Sequence, residues 1–519
     1  MKVAKGKYHI WTVGCQMNMA DSQRVSSILD GLGWEEVPTM ETANLVVLNT
    51  CSVREQPEKR AHGQLSLLRI AKKQRSDLLV AMMGCMIGNQ RTIDDLKKRY
   101  PVVDLFFKVE KADILPQFLE ERWTPLAGEG CIDFADLGVP RDIGTGATLP
   151  MLPSAPAAHT GSPMQIMPRP AARDLQYPNS VTVGLKTRGP TAWLPVILGC
   201  NKVCSYCIVP SRRGVERSRS IEELLAEAGD LVASGARELT LLGQTVEAYG
   251  LDLPGQQADL GDLMERLSDI ASLSRIRFMT SYPRHFTDKL IKHMAALPKV
   301  CPHVNIPVQH GDDGVLRRMR RGYTLAEYHE LIDKLRAWWP GVALSTDIIV
   351  GFCGETEDEF QHTLDLLEDI RFDVVHVAAY SPRPGTLSYK WDDDVPLALK
   401  KERLHKVEAL QERISTEINR GYLGRDEEVL IEAHQVAGDQ HQWRGRNPCN
   451  KLVFFPANMP TEKAPRRSTT FAAEQTKTRN GVGLAEPPVA RTQVRPGDLV
   501  MVRIEKTTPW SLQGRLAMH

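Results

Sequence analysis

Trp193-Leu-Pro-Val-Ile-Leu-Gly-Cys200-Asn-Lys-Val-Cys204-Ser-Tyr-Cys207 is the stretch on which the fold turns. An apolar run of strand length ends in a glycine, and three cysteines follow within eight residues, spaced C-x3-C-x2-C. Three thiolates on one tight loop can hold three irons of a cubane 4Fe-4S cluster and leave the fourth iron without a protein ligand. An open iron can bind a small chelating molecule. A structural zinc site usually takes four ligands, and no fourth Cys or His stands in this loop. The chain has only ten cysteines in 519 residues, far below a disulfide scaffold, so three together need a chemical reason.

Downstream, apolar strand candidates alternate with helical patterns: Trp193–Leu198, Glu238–Leu242, Arg275–Thr280, His303–Gln309, Val342–Val350 and Asp373–Tyr380. A capping-box pattern, Ser220-Ile-Glu-Glu223, opens one helix that stops near Gly235. Six β-then-α units predict a partial parallel barrel, with its chemistry on the loops after the strands. Gln244, Ser281, Gln309, Asp347 and Glu355 are expected at or just after such strand ends. Lys400 to Arg420 reads as one charged amphipathic helix.

Upstream, three short apolar runs each end at a cysteine: Tyr8-His-Ile-Trp-Thr-Val-Gly at Cys15, Asn44-Leu-Val-Val-Leu-Asn-Thr at Cys51, and Leu78-Leu-Val-Ala-Met-Met-Gly at Cys85. They lie 36 and 34 residues apart, the size of a βαβ unit. An open parallel sheet binds its ligands off the carboxyl ends of its strands, where all three cysteines fall. Cys131, Cys301, Cys353 and Cys449 have no spacing partners and read as packing thiols.

Residues 138–178 hold eight prolines and four glycines and read as a linker. Beyond Gly421 the pattern changes to short strands at Glu428–Ala433, Leu452–Phe455 and Leu499–Ile504, a small β-barrel. This tail has 14 Lys+Arg against 10 Asp+Glu, and a Pro/Thr/Lys-rich insertion interrupts it. The reading is therefore α/β: an N-terminal open parallel αβ domain over 1–130, a linker over 131–185, a partial (β/α)6 barrel over 186–418, and a β-barrel over 421–519 with an insertion at 456–490. The whole chain has a net charge of +1, which argues against a general polyanion coat and leaves room for local basic patches. Arg212, Arg213, Arg217 and Arg219 form one such patch beside the cysteine loop. Arg317, Arg318, Arg320 and Arg321 form another, and Arg446 sits in the basic tail. No apolar run reaches the roughly 18 residues of a membrane span. The basic N-terminus leads into a strand-like segment and not a signal core, so an intracellular chain is expected.

The cysteine loop, with an aromatic before its last Cys and a partial barrel after it, resembles the radical S-adenosylmethionine (SAM) superfamily. Thr12-Val-Gly-Cys15-Gln-Met-Asn18, Asp21-Ser22, Asn49-Thr-Cys51-Ser-Val-Arg-Glu55 and Gly84-Cys85-Met86 narrow the resemblance to the methylthiotransferases. Barrel segments resemble that family too: Ile208-Val-Pro-Ser-Arg-Arg-Gly214, Thr280-Ser-Tyr-Pro283, Met319-Arg-Arg-Gly-Tyr323 and Tyr380-Ser-Pro-Arg-Pro-Gly385. The tail resembles a TRAM domain, a small RNA-binding β-barrel. Departures are Gln23 for a usual acid, Pro57 for alanine, His310 for serine and Cys353 for proline.

The resemblance implies two 4Fe-4S clusters, one on Cys200, Cys204 and Cys207 and an auxiliary one on Cys15, Cys51 and Cys85. It implies SAM as radical source and methyl donor, with Tyr206, Gln244, Ser281, Gln309, Asp347 and Glu355 as candidate contacts. It implies RNA contact at Arg212, Arg213, Arg217, Arg219 and Arg446, and a low-potential electron donor such as flavodoxin. The residues around Cys15 and Cys51 point to the branch that methylthiolates C2 of N(6)-dimethylallyladenosine beside the tRNA anticodon. The alternatives are threonylcarbamoyl-adenosine or a ribosomal-protein aspartate as substrate, and, in another class, a non-catalytic iron–sulfur RNA-binding or sensor protein. A cytoplasmic monomer is expected.

Overall fold

The computed structural model describes residues 5–52, 55–88, 90–123, 185, 187, 189–253, 255, 258–437, 440–457 and 494–517. Cys131, the 138–178 linker and nearly all of the 456–490 insertion lie outside the described residues. The chain forms two compact units, Met1–Ile418 and Asn419–His519.

The first unit opens with β1 (Lys7–Thr12), α1 (Gln16–Gly31), β2 (Glu35–Glu36), β3 (Leu45–Thr50), α2 (Glu55–Gln74), β4 (Leu79–Gly84), α3 (Gln90–Arg99), β5 (Leu105–Phe106) and α4 (Ile114–Arg122). The strands make one parallel sheet in the order β2-β1-β3-β4-β5. The central strand β3, Leu-Val-Val-Leu-Asn-Thr, is buried at every residue, as a parallel strand covered on both faces must be. Its register sets Asn49 beside Thr12 on one side and Thr50 beside Gly84 on the other. The three cysteine-bearing ends therefore stop at one height.

The barrel follows: β6 (Thr191–Pro195), β7 (Ile197–Leu198), α5 (Val209–Arg213), β8 (Arg217–Ser218), α6 (Ile221–Ala233), β9 (Glu238–Leu242), α7 (Leu260–Ser268), β10 (Arg275–Met279), α8 (Asp288–Ala296), β11 (His303–Asn305), α9 (Asp313–Arg318), α10 (Leu325–Trp338), β12 (Ala343–Val350), α11 (Glu357–Ile370), β13 (Val374–Ala379) and α12 (Leu397–Arg420). Its six main strands are parallel within two sheets, β6-β9-β10 and β11-β12-β13. The backbone bond from Ser281 to Asn305, 3.2 Å, joins the two halves at their carboxyl ends. Side chains alternate along each strand. Leu239, Leu241, Ile276, Phe278, Leu344 and Ile348 turn outward into the core beneath the helices.

The interior face of the first half meets α1: Met17 and Ala20 pack on Leu198 and Leu242, with Trp193 and Met279 alongside. Arg24 of α1 and Arg219 both reach Glu227 of α6, at 3.1 and 2.5 Å. The N-terminal layer thus covers the inside of the first half-barrel and is pinned there by a buried ion triad.

The helix expected from Ser220 runs Ile221–Ala233, with the Ser220 hydroxyl accepting from the Glu223 amide and Gly235 just beyond at φ +120°. The strand expected over His303–Gln309 is regular only to Asn305. Pro307 lacks an amide hydrogen, and the chain continues beside β12 through single bonds such as Gln309 N to Asp347 O, 2.9 Å.

The second unit is a closed barrel of β14 (Asp426–Ala437), β15 (Gln440–Arg446), β16 (Leu452–Pro456), β17 (Leu499–Thr507) and β18 (Leu512–Leu516), in the order β14-β15-β16-β18-β17. Val429, Ile431, Val453, Phe455, Val502, Ile504 and Leu512 fill it. Sequence reading found three of these strands. It missed β15, Gln-His-Gln-Trp-Arg-Gly-Arg, and β18, Leu-Gln-Gly-Arg-Leu, because both are mostly polar and are held by their neighbours. Among the described residues no helix is long and apolar enough to cross a membrane.

Candidate iron–sulfur sites

The barrel triplet sits on a loop clamped at its base. β7 and β8 pair antiparallel, Ile197 with Ser218 and Leu198 with Arg217. Gly199 at φ +72° begins the loop, and a Cβ there would lie 2.0 Å from the Val215 carbonyl oxygen, so only glycine fits. Cys200 N donates to Gly214 O at 3.0 Å, and Asn201 and Glu216 exchange bonds of 3.1 Å across the loop. The far side is fixed by Ser205, whose amide donates to Met319 O and whose hydroxyl donates to Arg318 O at 2.8 Å. Burial, the main cause, pushes Cys200 up to about 11 and Cys207 up to about 12. As free groups these are thiols, and a bound cation is what makes them thiolates. Arg321, buried beside them, donates to Cys204 Sγ at 3.5 Å and to Pro307 O at 2.6 Å.

The second triplet forms where β1, β3 and β4 end together. Cys15 is the residue before α1 and is exposed, while Cys51 and Cys85 are buried. A Cβ on Gly14 would meet Cys51 Cβ at 2.7 Å, and one on Gly84, at φ +95°, would meet Thr50 O at 2.2 Å. Both glycines let neighbouring strand ends come close enough to share a ligand. Asn18, fully buried, ties two of the three strand ends: its amide donates to Asn49 Oδ1 and Thr50 O of β3 at 2.9 and 3.0 Å, and its oxygen accepts from Cys15 Sγ at 3.3 Å. Ser52 Oγ donates to Cys85 O at 3.0 Å.

Three ligand atoms all within 4.8 Å of one another occur among the described residues only at Asp259, Asp262 and His293, where the two aspartates are already engaged in the capping box of α7. The sulfurs of each cysteine triplet are more widely set. That donor set, soft and spread, fits a polynuclear iron–sulfur cluster better than a single ion.

The other expected contacts divide. Tyr206 is partly buried, its ring edge-on to Phe352 at 6.4 Å. Gln244 is half-buried on the loop after β9. Ser281, just past β10, is buried and its hydroxyl has no protein partner. Gln309 is buried with φ +80°, and Thr280 has φ +71°, a costly conformation for a β-branched residue. Such strain gathers at functional sites, and here it marks two strand ends at the barrel mouth. Asp347 lies three residues before the end of β12, on the interior face and not at the strand end.

Glu355 does not face the barrel mouth as a free carboxylate. It is buried, holds Arg403 at 2.9 Å and accepts from the Phe352 amide at 2.9 Å. Arg213 and Arg219 do not form an RNA-facing surface either. The Arg213 side chain is 11% exposed and pairs with Asp21 at 3.1 Å, and Arg219 is committed to Glu227 and Pro195 O. Arg212 and Arg217 are partly buried. In the second arginine group only Arg317 and Arg320 are exposed, Arg318 being held by Glu359 at 2.8 Å and Arg321 by the cysteine loop. Arg446 is partly exposed and pairs with Glu432 at 3.1 Å, at the end of β15. Burial is a property of the tertiary contact, so a run of arginines in the sequence could not show it.

Sequence reading missed Glu247, on the loop after β9. It is buried, accepts from the Tyr282 amide, and burial pushes its carboxyl up to about 8. It missed Lys202 too, which lies 4.7 Å over the Tyr282 ring beside His285.

Residues 194–367 match the radical SAM superfamily, and residues 7–108 match an uncharacterized protein family, UPF0004. The tRNA-2-methylthio-N(6)-dimethylallyladenosine synthase of Chloroflexus aurantiacus is 39% identical over 98% of this chain and 91% of its own length. The chain belongs to that synthase family. A second synthase of the family, from Herpetosiphon aurantiacus, is 41% identical over 88% of this chain and 92% of its own length. Among solved structures, the radical S-adenosylmethionine methyltransferase TsrM from Kitasatospora setae is similar at a TM-score of 0.47 and 16% identity, covering 84% of this chain and 81% of that one, too loose a likeness to bear on function. The synthases match across both cysteine regions and the C-terminal unit, so the family extends over the described parts of the chain.

Proposed function

We propose that this protein methylthiolates C2 of N(6)-dimethylallyladenosine next to the anticodon of tRNA, forming 2-methylthio-N(6)-dimethylallyladenosine. The observation that carries the reading is the pair of three-cysteine sites within one compact unit, in a chain whose relatives bear that synthase name. When bound, two 4Fe-4S clusters and SAM supply the electron, the deoxyadenosyl radical, the sulfur and the methyl group.

The protein's part is position and exclusion of water. Cys200, Cys204 and Cys207 hold the cluster that meets SAM, on a loop braced by Ser205, Glu216 and Arg321. Cys15, Cys51 and Cys85 hold the auxiliary cluster, braced by Asn18. Gln244, the unpartnered Ser281 hydroxyl, Gln309 and Asp347 offer polar atoms to SAM from successive strands, and Tyr206 walls its pocket. α1 packs on the interior face of the first half-barrel, and the base must leave its stack to reach the barrel interior. That costs a few kcal/mol, and less for a nucleotide in a loop. The domains are 1–130, 186–418 and 421–519, the last a TRAM module that holds tRNA through its basic surface, Arg446 included. The protein works as a cytoplasmic monomer fed by a flavodoxin-type reductant.

The test is mass analysis of tRNA nucleosides from a strain lacking the gene. Loss of the 2-methylthio group from the dimethylallyl nucleoside alone, restored by the intact gene and not by a Cys200→Ala copy, is expected. An unchanged dimethylallyl nucleoside pool, or loss confined to threonylcarbamoyl-adenosine, would overturn the substrate assignment.

A further inference from the structure

Arg213 lies six residues after Cys207, at the end of α5, yet its guanidinium leaves the barrel loop and enters the other cysteine site. It is 3.1 Å from Asp21 Oδ2, on the helix that Cys15 opens, and near enough to Cys85 for the two groups to interact electrostatically. Cys15 lies in the same neighbourhood as Cys85 and Arg213. The neighbouring Arg212 follows the same path: its Nη1 occupies the place a Cβ on Gly88 would take, 1.9 Å away, so the loop after Cys85 is shaped to admit it. Asp21 itself is buried, and its Oδ1 has no hydrogen-bond partner. The arrangement is more than a surface ion pair. A cation carried by the segment after one cysteine loop is held beside the other cysteine site by a buried carboxylate of α1.

We propose that Arg213 is a positioning residue of the strand-end cluster, so that the barrel's own cysteine loop delivers, through α5, the cation that seats and electrically balances Cys85 and Cys15. The inference rests on the reading that Cys15, Cys51 and Cys85 hold a cluster. A fixed positive charge beside a cluster stabilises its reduced, more negative form and raises its reduction potential, and a fixed negative charge lowers it. Arg213 and Asp21 are partners in one ion pair, yet they act on the cluster with opposite sign. A pair that merely holds two layers together has no such asymmetry.

The experiment is a redox titration of the reconstituted holoenzyme followed by electron paramagnetic resonance, with iron counted per chain. The cluster whose signal responds to added SAM is the barrel cluster, and the other is the auxiliary one. Arg213→Gln is expected to shift the auxiliary potential to a more negative value, or to lose about half of the iron, with the barrel signal and its response to SAM retained. Asp21→Asn is expected to shift the auxiliary potential to a more positive value at full iron. Arg213→Lys keeps the charge and is expected to keep the cluster with a smaller shift, and it decides the matter if the glutamine variant does not fold. Full iron with an unmoved auxiliary potential in Arg213→Gln would overturn the proposal. So would a shift of the same sign, or the same iron loss, in Asp21→Asn. Wild-type protein saturating near four irons per chain would sink the two-cluster reading instead, a separate outcome read before any variant is made.

Discussion

The two three-cysteine sites are built by opposite routes. Cys200, Cys204 and Cys207 fall within eight residues, and one two-residue pairing, β7 with β8, closes the base of their loop. Cys15, Cys51 and Cys85 are spread over seventy residues and meet only because β1, β3 and β4 stop at one height in a parallel sheet. The first site needs a loop of the right shape. The second needs the register of three strands, two glycines at the crossing points and Asn18 as a tie. A local site is lost by removing a ligand, whereas a strand-end site is also lost by damage to the sheet far from any ligand.

The largest contrast is expected from Cys200→Ala. Release of 5′-deoxyadenosine should fall to background while about half the iron remains on the strand-end site. Release at the wild-type rate would remove the barrel cluster from the mechanism. Next in size is Glu227→Gln, which leaves Arg24 and Arg219 facing each other without their shared carboxylate. Breaking a buried pair in this way costs about 3–5 kcal/mol, and the denaturant midpoint should fall accordingly. A change under about 1 kcal/mol would mean that α1 is not pinned to the barrel by this triad.

Gly84→Ala separates the two sites more finely. Its methyl group would press on the Thr50 carbonyl at a positive φ, a strain of about 1–3 kcal/mol. The auxiliary iron should be lost or loosened while SAM cleavage persists. Asn18→Ala removes three hydrogen bonds and leaves Asn49 and Thr50 under-satisfied, at about 1–3 kcal/mol. Its effect on iron content should point the same way, and an equal loss from both clusters would show that the sites do not fail independently.

The effect least tied to the two sites is a slope with pH. Burial raises the Glu247 carboxyl from 4.5 to about 8 in the folded chain. Over that interval the folded state holds a proton that the unfolded state has released, so stability falls as pH rises. Denaturant midpoints across that interval should decline in the wild type, and Glu247→Gln should flatten part of the decline. An unchanged slope in the variant would assign the dependence to other groups.

Much of this is legible in the sequence. The C-x3-C-x2-C loop is local, so its spacing is its geometry. The three upstream cysteines each close an apolar run, so a parallel sheet alone predicts that they converge. Ser220 and Glu223 marked a helix start because a cap is a contact over three residues. What could not be read is the fate of the charged side chains. Arg213, Arg219, Arg321 and Glu355 have the same neighbours in sequence as any solvated arginine or glutamate. They are buried because α1, α5 and α12 bring partners from up to about two hundred residues away. The polar strands β15 and β18 were missed for the same reason, since their place is set by pairing and not by their own pattern.

The sequence by itself determined which residues can hold iron and which kind of sheet presents them, because both follow from spacing and period along the chain. Only the tertiary structure decided which charges remain free, that α1 packs on the inside of the first half-barrel, and that an arginine just after one cysteine loop ends paired with Asp21 beside the other site. Burial and ion pairing depend on what packs opposite, and that is fixed by the folded contacts of distant segments and not by neighbours in the chain.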